Sequence, residues 1–244
     1  IRMKKLKVHN VKTLILDEAD KLMDKTYLES ILFIRKSLMK RTQVLLFSAS
    51  ISNKTIKQAN TITYNPVIYE LSKENKELIP KTIKHIFIIS DRRERIETLR
   101  KIAKAVNSDK TMIFINTKYD LEESLQKLQY HNYNVAALAG NIDKQSKKKA
   151  VEDFQNGRLQ YLLATDVAAR GLQIDHVSTV INVNLPEEPT EYLHRAGRCG
   201  RNNEQGLCIS IITENELNKI KKYQKAFNIN IVQKRLYNGK IVSK

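Results

Sequence analysis

Val11-Lys12-Thr13-Leu14-Ile15-Leu16-Asp17-Glu18-Ala19-Asp20 decides how this chain is read: a short apolar run stops abruptly on acids. A run of that length, bounded by so sharp a switch, predicts a buried strand of a parallel sheet. Open α/β sheets bind ligands just past the carboxyl ends of their strands, so Asp17 and Glu18 stand where function is expected. The same texture recurs at Val44–Phe47, Val67–Leu71, Ile83–Ile89, Met112–Ile115, Val135–Leu138, Tyr161–Ala164, Thr179–Val183 and Leu207–Ile212. Helix-period segments lie between many of these runs. Ile96, Leu99, Ile102 and Val106 share one face of Arg92–Val106, and Leu121, Leu125 and Leu128 one face of Tyr119–Gln129. Thr213-Glu214-Asn215-Glu216 has the form of a capping box that opens a last helix. Strands alternating with helices predict an α/β fold with parallel sheets.

The polar stretch Ser72–Pro80, with mixed charge and a closing proline, predicts a linker. Residues 81–244 hold enough elements for a complete domain. Residues 1–71 offer about three strands, few for an independent core. They are read as the end of a domain whose beginning lies upstream. Missing strands leave sheet edges and apolar faces that invite association, with the oligomeric state open.

Composition bounds the function classes. Of 244 residues 41% are apolar, and no stretch approaches a membrane span. The chain begins at Ile1 without a charged-then-apolar leader. Cys199 and Cys208 make neither a disulfide framework nor a zinc pattern, so a reduced cytoplasmic setting is the default. The net charge of +17 arises from 43 basic and 26 acidic residues. Such a surplus fits a polyanionic partner, nucleic acid above all. However, 30 of the 43 are lysine, which fits a Lys-rich solvated surface equally well. Charge alone leaves both readings open.

Position is more telling. Asp17-Glu18, Ser48-Ala49-Ser50, Asn116-Thr117, Gly140-Asn141 and Thr165-Asp166 all come directly after strand-like runs. Five polar motifs at strand carboxyl ends predict working surfaces. Farther on stands His194-Arg195-Ala196-Gly197-Arg198-Cys199-Gly200-Arg201. The order of Asp17–Asp20, Ser48–Ser50, Ile113–Thr117, Ala164–Gly171 and His194–Arg201 resembles that of a DEAD-box RNA helicase of superfamily 2. The resemblance covers nearly the whole chain. It implies RecA-like parallel sheets with flanking helices, one domain partial and one complete. It also implies ATP and Mg²⁺ as cofactors and RNA as partner. The texture is similar to compact bacterial members of the cold-shock or ribosome-assembly kind.

By that resemblance Asp17 holds Mg²⁺ through water, and Glu18 orients or deprotonates the attacking water. Those types suit the task, because Mg²⁺ prefers hard oxygens and a nearby carboxylate can take a proton. Arg198 and Arg201 are implied to reach the γ-phosphate, where a planar charged fork suits developing negative charge. Ser48, Ser50, His194 and Arg195 are implied to couple the domains, with His194 and Arg195 meeting the Ser48 loop. RNA-backbone contacts are implied for Thr117, Gly140, Lys147, Thr165, Arg170 and Gly171. The ordinary alternatives are helix caps for the acids and hydroxyls, and solvated surface for the basic residues.

The chain departs from the family pattern in several places. Ser50 replaces the usual Thr, keeping the hydroxyl. Lys144 and Lys147 stand where Gln and Arg are usual, which loses the bidentate fork but keeps charge. Gln173 takes the place of a ribose-contacting Asp, and Asp175 is not assumed to substitute. Cys199 lies between Arg198 and Arg201, where guanidinium groups favour thiolate, although most free cysteines are inert. No Gly-x-x-x-x-Gly-Lys phosphate loop occurs in these 244 residues, so ATP hydrolysis by this chain alone is not expected. No long basic or Arg-Gly-rich tail announces a second RNA-binding module. Two other readings are a catalytically inactive RNA-binding or interaction module and a DNA-directed ATPase of the same superfamily.

Overall fold

A computed structural model describes residues 7–48, 53–69, 79–138, 142–169, 172, 174, 176–200 and 204–243. The chain divides into two compact units, Ile1–Glu74 and Asn75–Lys244.

In the first unit β1 (Thr13–Leu16) pairs in parallel with β2 (Gln43–Leu46), Thr13 opposite Gln43 and Leu16 opposite Leu46. Helices α1 (Ala19–Leu22), α2 (Lys25–Ser37) and α3 (Asn53–Ala59) complete it. Its core is small, centred on Leu16, Met23, Ile31 and Ile62. Arg35 ties α2 to the chain beyond α3 by donating from Nε to the Ile62 carbonyl at 2.9 Å. Ile15 and Phe47 are 58% and 55% exposed, an unusual fate for apolar residues on and beside a sheet.

The strand expected at Val67–Leu71 does not form over 67–69, which have no ladder partner among the described residues. Val67 and Tyr69 are largely exposed there. An apolar run is a strand only where another edge satisfies its backbone. Residues 70 and 71 lie outside the described part.

The second unit is built on an eight-stranded sheet of order β10-β9-β3-β8-β7-β4-β6-β5. Its strands are β3 (Ile83–Ile89), β4 (Thr111–Phe114), β5 (Val135–Leu138), β6 (Tyr161–Ala164), β7 (Thr179–Asn182), β8 (Gly206–Ile212), β9 (Ile231–Tyr237) and β10 (Lys240–Ser243). Only the β9–β10 pair is antiparallel. Helices α4 (Arg95–Val106), α5 (Lys118–Tyr130), α6 (Lys144–Gln155), α7 (Asp166–Ala169), α8 (Pro189–Ala196) and α9 (Leu217–Phe227) flank it.

Period-two alternation distributes the strand side chains between two cores. Ile86, Ile88, Ile113, Leu163, Ile181 and Ile209 meet α4 and α5 on one face. Phe87, Met112, Leu162, Val180 and Ile212 meet α6, α8 and α9 on the other. Strands buried on both faces read as the near-continuous apolar runs seen in the sequence. The capping box forms as expected: Thr213 and Glu216 satisfy each other's backbone ahead of α9.

Strands β9 and β10 have no counterpart among the sequence expectations. Their signal is Asn238-Gly239, the commonest two-residue hairpin turn, here with φ of 46° and 73°. Among the described residues no helix is long and apolar enough to cross a membrane.

One buried polar group makes the second unit acid-sensitive. His85 on β3 is 5% exposed and shares a 2.8 Å hydrogen bond between Nδ1 and the Tyr192 hydroxyl. Burial lowers its pKa from 6.5 to about 4. Between those pH values the unfolded chain binds a proton that the native state refuses. Stability is therefore full above pH 6.5 and falls as pH drops towards 4. At 1.36 kcal/mol per unit the loss is at most about 3 kcal/mol. Urea unfolding at neutral pH and near pH 4.5 should show this loss, and His85→Leu should flatten it. An equal fall in both proteins would assign the acid sensitivity to other groups.

Candidate functional site

Asp17 and Glu18 leave the end of β1 through a strained turn. Glu18 adopts φ 51° and ψ 46°, the left-handed region that side chains other than glycine enter rarely. The turn is held from below, since the Ala19 amide donates to the Phe47 carbonyl at 2.9 Å and the Asp20 amide donates to Ser48 Oγ at 3.3 Å. The acids and the Ser48 loop, which succeed neighbouring strands, are thus physically joined. Asp17 is exposed, and its Oδ1 accepts the Glu18 amide at 2.9 Å. An exposed hard oxygen fits a hydrated Mg²⁺ held through water. Strain at this position is what a functional turn supported by its surroundings would carry.

In the second unit the ladders align one row of residues across the sheet: Leu138, Ala164, Phe114, Asn182, Ser210, Phe87 and Gln233. The parallel strands share direction, so the loops at their carboxyl ends emerge at one end of the sheet. Asn116-Thr117 and Thr165-Asp166, after the adjacent strands β4 and β6, leave side by side. Thr117 Oγ1 accepts the Asp120 amide at 3.1 Å, and Thr165 Oγ1 accepts the Ala168 amide at 3.2 Å. Each hydroxyl therefore caps the next helix in the chain. A capping hydroxyl keeps its own hydrogen, which can still be donated to a phosphate oxygen. The cap and the ligand contact are compatible roles. Lys147 is half-buried in the first turns of α6, and Asp143 caps that helix through the Gln145 and Ser146 amides. These bonds hold the Asp143 carboxyl below its usual pKa, led by the Ser146 side chain.

Arg195 is held within the second unit. It is 1% exposed, and its guanidinium is committed inside the second unit. Nε and Nη2 grip both Asp166 carboxylate oxygens at 2.7 and 2.6 Å. Nη2 also donates to Asn116 Oδ1 at 2.8 Å, and Nη1 to the Asn184 carbonyl at 2.7 Å and to Asn182 Oδ1 at 3.3 Å. The Phe114 ring lies 5.1 Å below. One planar donor fork thereby fixes the strand ends of β4, β6 and β7 against α8, which a lysine could not do. Asn182 and Asn184 are not among the residues the sequence pattern singles out. Their only sign is a polar alternation, Asn182-Val183-Asn184, at the end of an apolar strand.

Arg198 lies one turn beyond Arg195 and is half-buried. Its Nη1 donates to the Leu172 carbonyl at 2.6 Å. The nearby glycine has a packing reason: Gly200 has φ +66°, and a Cβ there would come within 2.6 Å of Ile83. Cys199 fits the inert reading. The residue is 1% exposed and its thiol donates to the Ala196 carbonyl at 3.2 Å. Burial pushes its pKa well up, and that of Cys208 up to about 11. Desolvation outweighs the neighbouring guanidinium groups. Ser50, Gly140, Arg170, Gly171 and Arg201, with Gln173 and Asp175, lie outside the described residues. His194 is half-buried on α8.

Comparison with known proteins covers both units. Residues 1–59 match the family described as DEAD/DEAH box helicase, and residues 94–203 the helicase conserved C-terminal domain. Over 243 residues the chain is 33% identical to the DEAD-box ATP-dependent RNA helicase CshC of Bacillus cereus, covering 99% of this chain and 61% of that protein. It is 31% identical to the probable ATP-dependent RNA helicase YfmL of Bacillus subtilis, covering 100% and 64%. The structure of S. cerevisiae Dbp5 bound to RNA and ADP BeF3 superposes with a TM-score of 0.86 at 28% identity, covering 96% of this chain and 62% of that one. The chain thus spans about three fifths of the length of these relatives.

Proposed function

We propose, since this chain belongs to the DEAD-box family of helicases, that the protein carrying it is an ATP-dependent RNA helicase. In this reading, ATP hydrolysis stimulated by RNA drives local opening of short duplexes. Residues 1–71 belong to a first RecA-like domain, 72–80 to a linker, and 81–244 to the second RecA-like domain. The observation that carries the proposal is the Arg195 clamp. It binds the loops of Asn116-Thr117 and Thr165-Asp166, the RNA-facing candidates, to the helix that leads into Arg198. The clamp gives a direct chain of contacts between the two sets of loops.

Glu18 orients or deprotonates the attacking water, from a turn whose left-handed backbone sets where its side chain departs. Asp17 holds the hydrated cation, which supplies charge neutralisation on the phosphates. Arg198 and Arg201 stabilise charge on the transferring group. Ser48, Ser50, His194 and Arg195 transmit nucleotide state between domains, Arg195 by anchoring α8 to the strand ends and Ser48 through its bond to the acid-bearing turn. Thr117, Gly140, Lys147, Thr165, Arg170 and Gly171 grip the RNA backbone, which gives binding without sequence preference. Arg198 must leave the Leu172 carbonyl to reach a phosphate. The 244 residues alone hold no Gly-x-x-x-x-Gly-Lys loop and are expected to be inactive. A cytoplasmic setting agrees with two buried, free cysteines.

The test is ATP turnover by the full-length protein with and without single-stranded RNA, alongside Glu18→Gln. RNA-stimulated turnover that falls by about a hundredfold or more in the variant supports the helicase reading and the role of Glu18. Absence of turnover with RNA binding retained would instead favour an inactive RNA-binding module. Tighter binding to DNA of the same sequence would indicate a DNA-directed ATPase.

A further inference from the structure

The charge of the second unit is not spread evenly. Residues 75–216 hold 21 basic and 19 acidic residues, whereas residues 217–244 hold eight basic residues and no acid. The fold turns this last segment into α9 and the β9–β10 hairpin. Lys221, Lys222 and Lys225 are exposed on α9. Ile220, Tyr223 and Ile231 share one core, so α9 covers the sheet face to which Ile231 points. Side chains alternate along a strand, and Arg235 and Tyr237 therefore point to the face of Ile231. In the hairpin register Lys240 stands directly opposite Tyr237, and directly opposed residues share a face. Tyr237 is 58% exposed, and the Arg235 guanidinium sits 5.6 Å from its ring centroid. An open aromatic ring is thus flanked by two exposed cations.

The hairpin also faces a telling direction. Gln233 lies in the same row of the sheet as Phe114 and Ala164. Arg235 lies two residues past that row, towards the end of the sheet from which the candidate RNA loops leave. Four strand spacings separate β4 from β9, about 19 Å. The acids that succeed the intervening strands are partly neutralised. Glu187 pairs with Lys219 at 2.7 Å, and Glu216 pairs with Arg95.

We propose that the β9–β10 hairpin is a second contact site for single-stranded RNA, with a base stacked on Tyr237 and phosphates held by Arg235 and Lys240. Exposed aromatic rings interleaved with cations bind single strands without sequence preference, because every base has a π-face. The identity of the ligand rests on the RNA reading of the proposed function. The site lengthens the bound strand beyond what the β4, β5 and β6 loops cover.

The test is fluorescence anisotropy of this chain with labelled oligouridylates of about 5 and about 16 nucleotides, spanning the footprint of single platforms. Tyr237→Ala should weaken binding of the longer strand about tenfold and leave the shorter strand unchanged, while Tyr237→Phe should bind as the parent. Arg235→Ala with Lys240→Ala should reduce the salt slope of log affinity for the longer strand by about 1.4. Thermal unfolding of each variant checks that the sheet is intact. Unchanged binding by the hairpin variants, with Thr117→Ala and Lys147→Ala weakened, would overturn the hairpin site and leave the RNA reading standing. No binding by the parent chain at low salt would count against the RNA reading itself. Equal affinity for a polyglutamate, indifferent to Tyr237→Ala, would also overturn the proposal and assign the patch to acidic protein partners.

Discussion

Arg198→Ala in the full-length protein is expected to lower RNA-stimulated ATP turnover by about 10³-fold or more, with the loss in kcat rather than in RNA affinity. Removing an arginine that meets transferring phosphate costs roughly 10³–10⁵ in related phosphoryl-transfer systems. Its structural cost should be small, because Arg198 is half-buried at the end of a helix and its donation to the Leu172 carbonyl can pass to water. Arg198→Lys should recover little, since a point charge lacks the planar fork. Steady-state kinetics with saturating RNA, together with an unfolding curve, separates the two costs. Turnover within a few-fold of the parent would remove Arg198 from the phosphate site. A large fall in stability would reassign it to the scaffold.

For Arg195 the opposite division is expected: Arg195→Ala should destabilise the second unit by about 3–5 kcal/mol, the usual cost of breaking one side of a buried ion pair. The guanidinium is 1% exposed and satisfies Asp166, Asn116, Asn182 and the Asn184 carbonyl together. Its removal strands the buried Asn182 acceptor and leaves the part-buried Asp166 carboxylate without its counter-charge. Arg195→Lys should recover only part of the loss, because one ammonium cannot span three strand ends. Asp166→Asn keeps the shape and removes the charge, so it should cost less than Arg195→Ala. Denaturant unfolding of this chain measures all three. A loss below about 1 kcal/mol for Arg195→Ala, the level of an exposed pair, would show that the clamp is dispensable.

The pair of arginines shows how local pattern and tertiary context divide the information. Arg195 and Arg198 stand three residues apart in one motif, and nothing local tells which of them is buried. Packing makes one a buried tie between strand ends and leaves the other half-open. The same holds for Thr117 and Thr165: their positions after apolar runs make them candidates, and only the fold shows their capping bonds. For Cys199, flanking arginines suggest reactivity, yet burial decides the matter, because desolvation of a thiolate outweighs charges that point elsewhere.

Legible in the sequence alone are the α/β alternation, the strand ends that bear polar motifs, and the family those motifs belong to. The first two depend on neighbours within a few residues, where periodicity and turn chemistry act, and the family on the order of short motifs along the chain. The hairpin signal Asn238-Gly239 is equally local, although the segment around it reads as a mere extension without the sheet it joins. Long-range pairing alone explains why residues 67–69 form no strand, since a ladder partner must come from elsewhere in the chain. Sheet order brings Asn116, Asp166 and Arg195 together across 79 positions of chain. Strand order and register depend on pairings distant in sequence, so they are set by the packing of the whole sheet, which no local window contains.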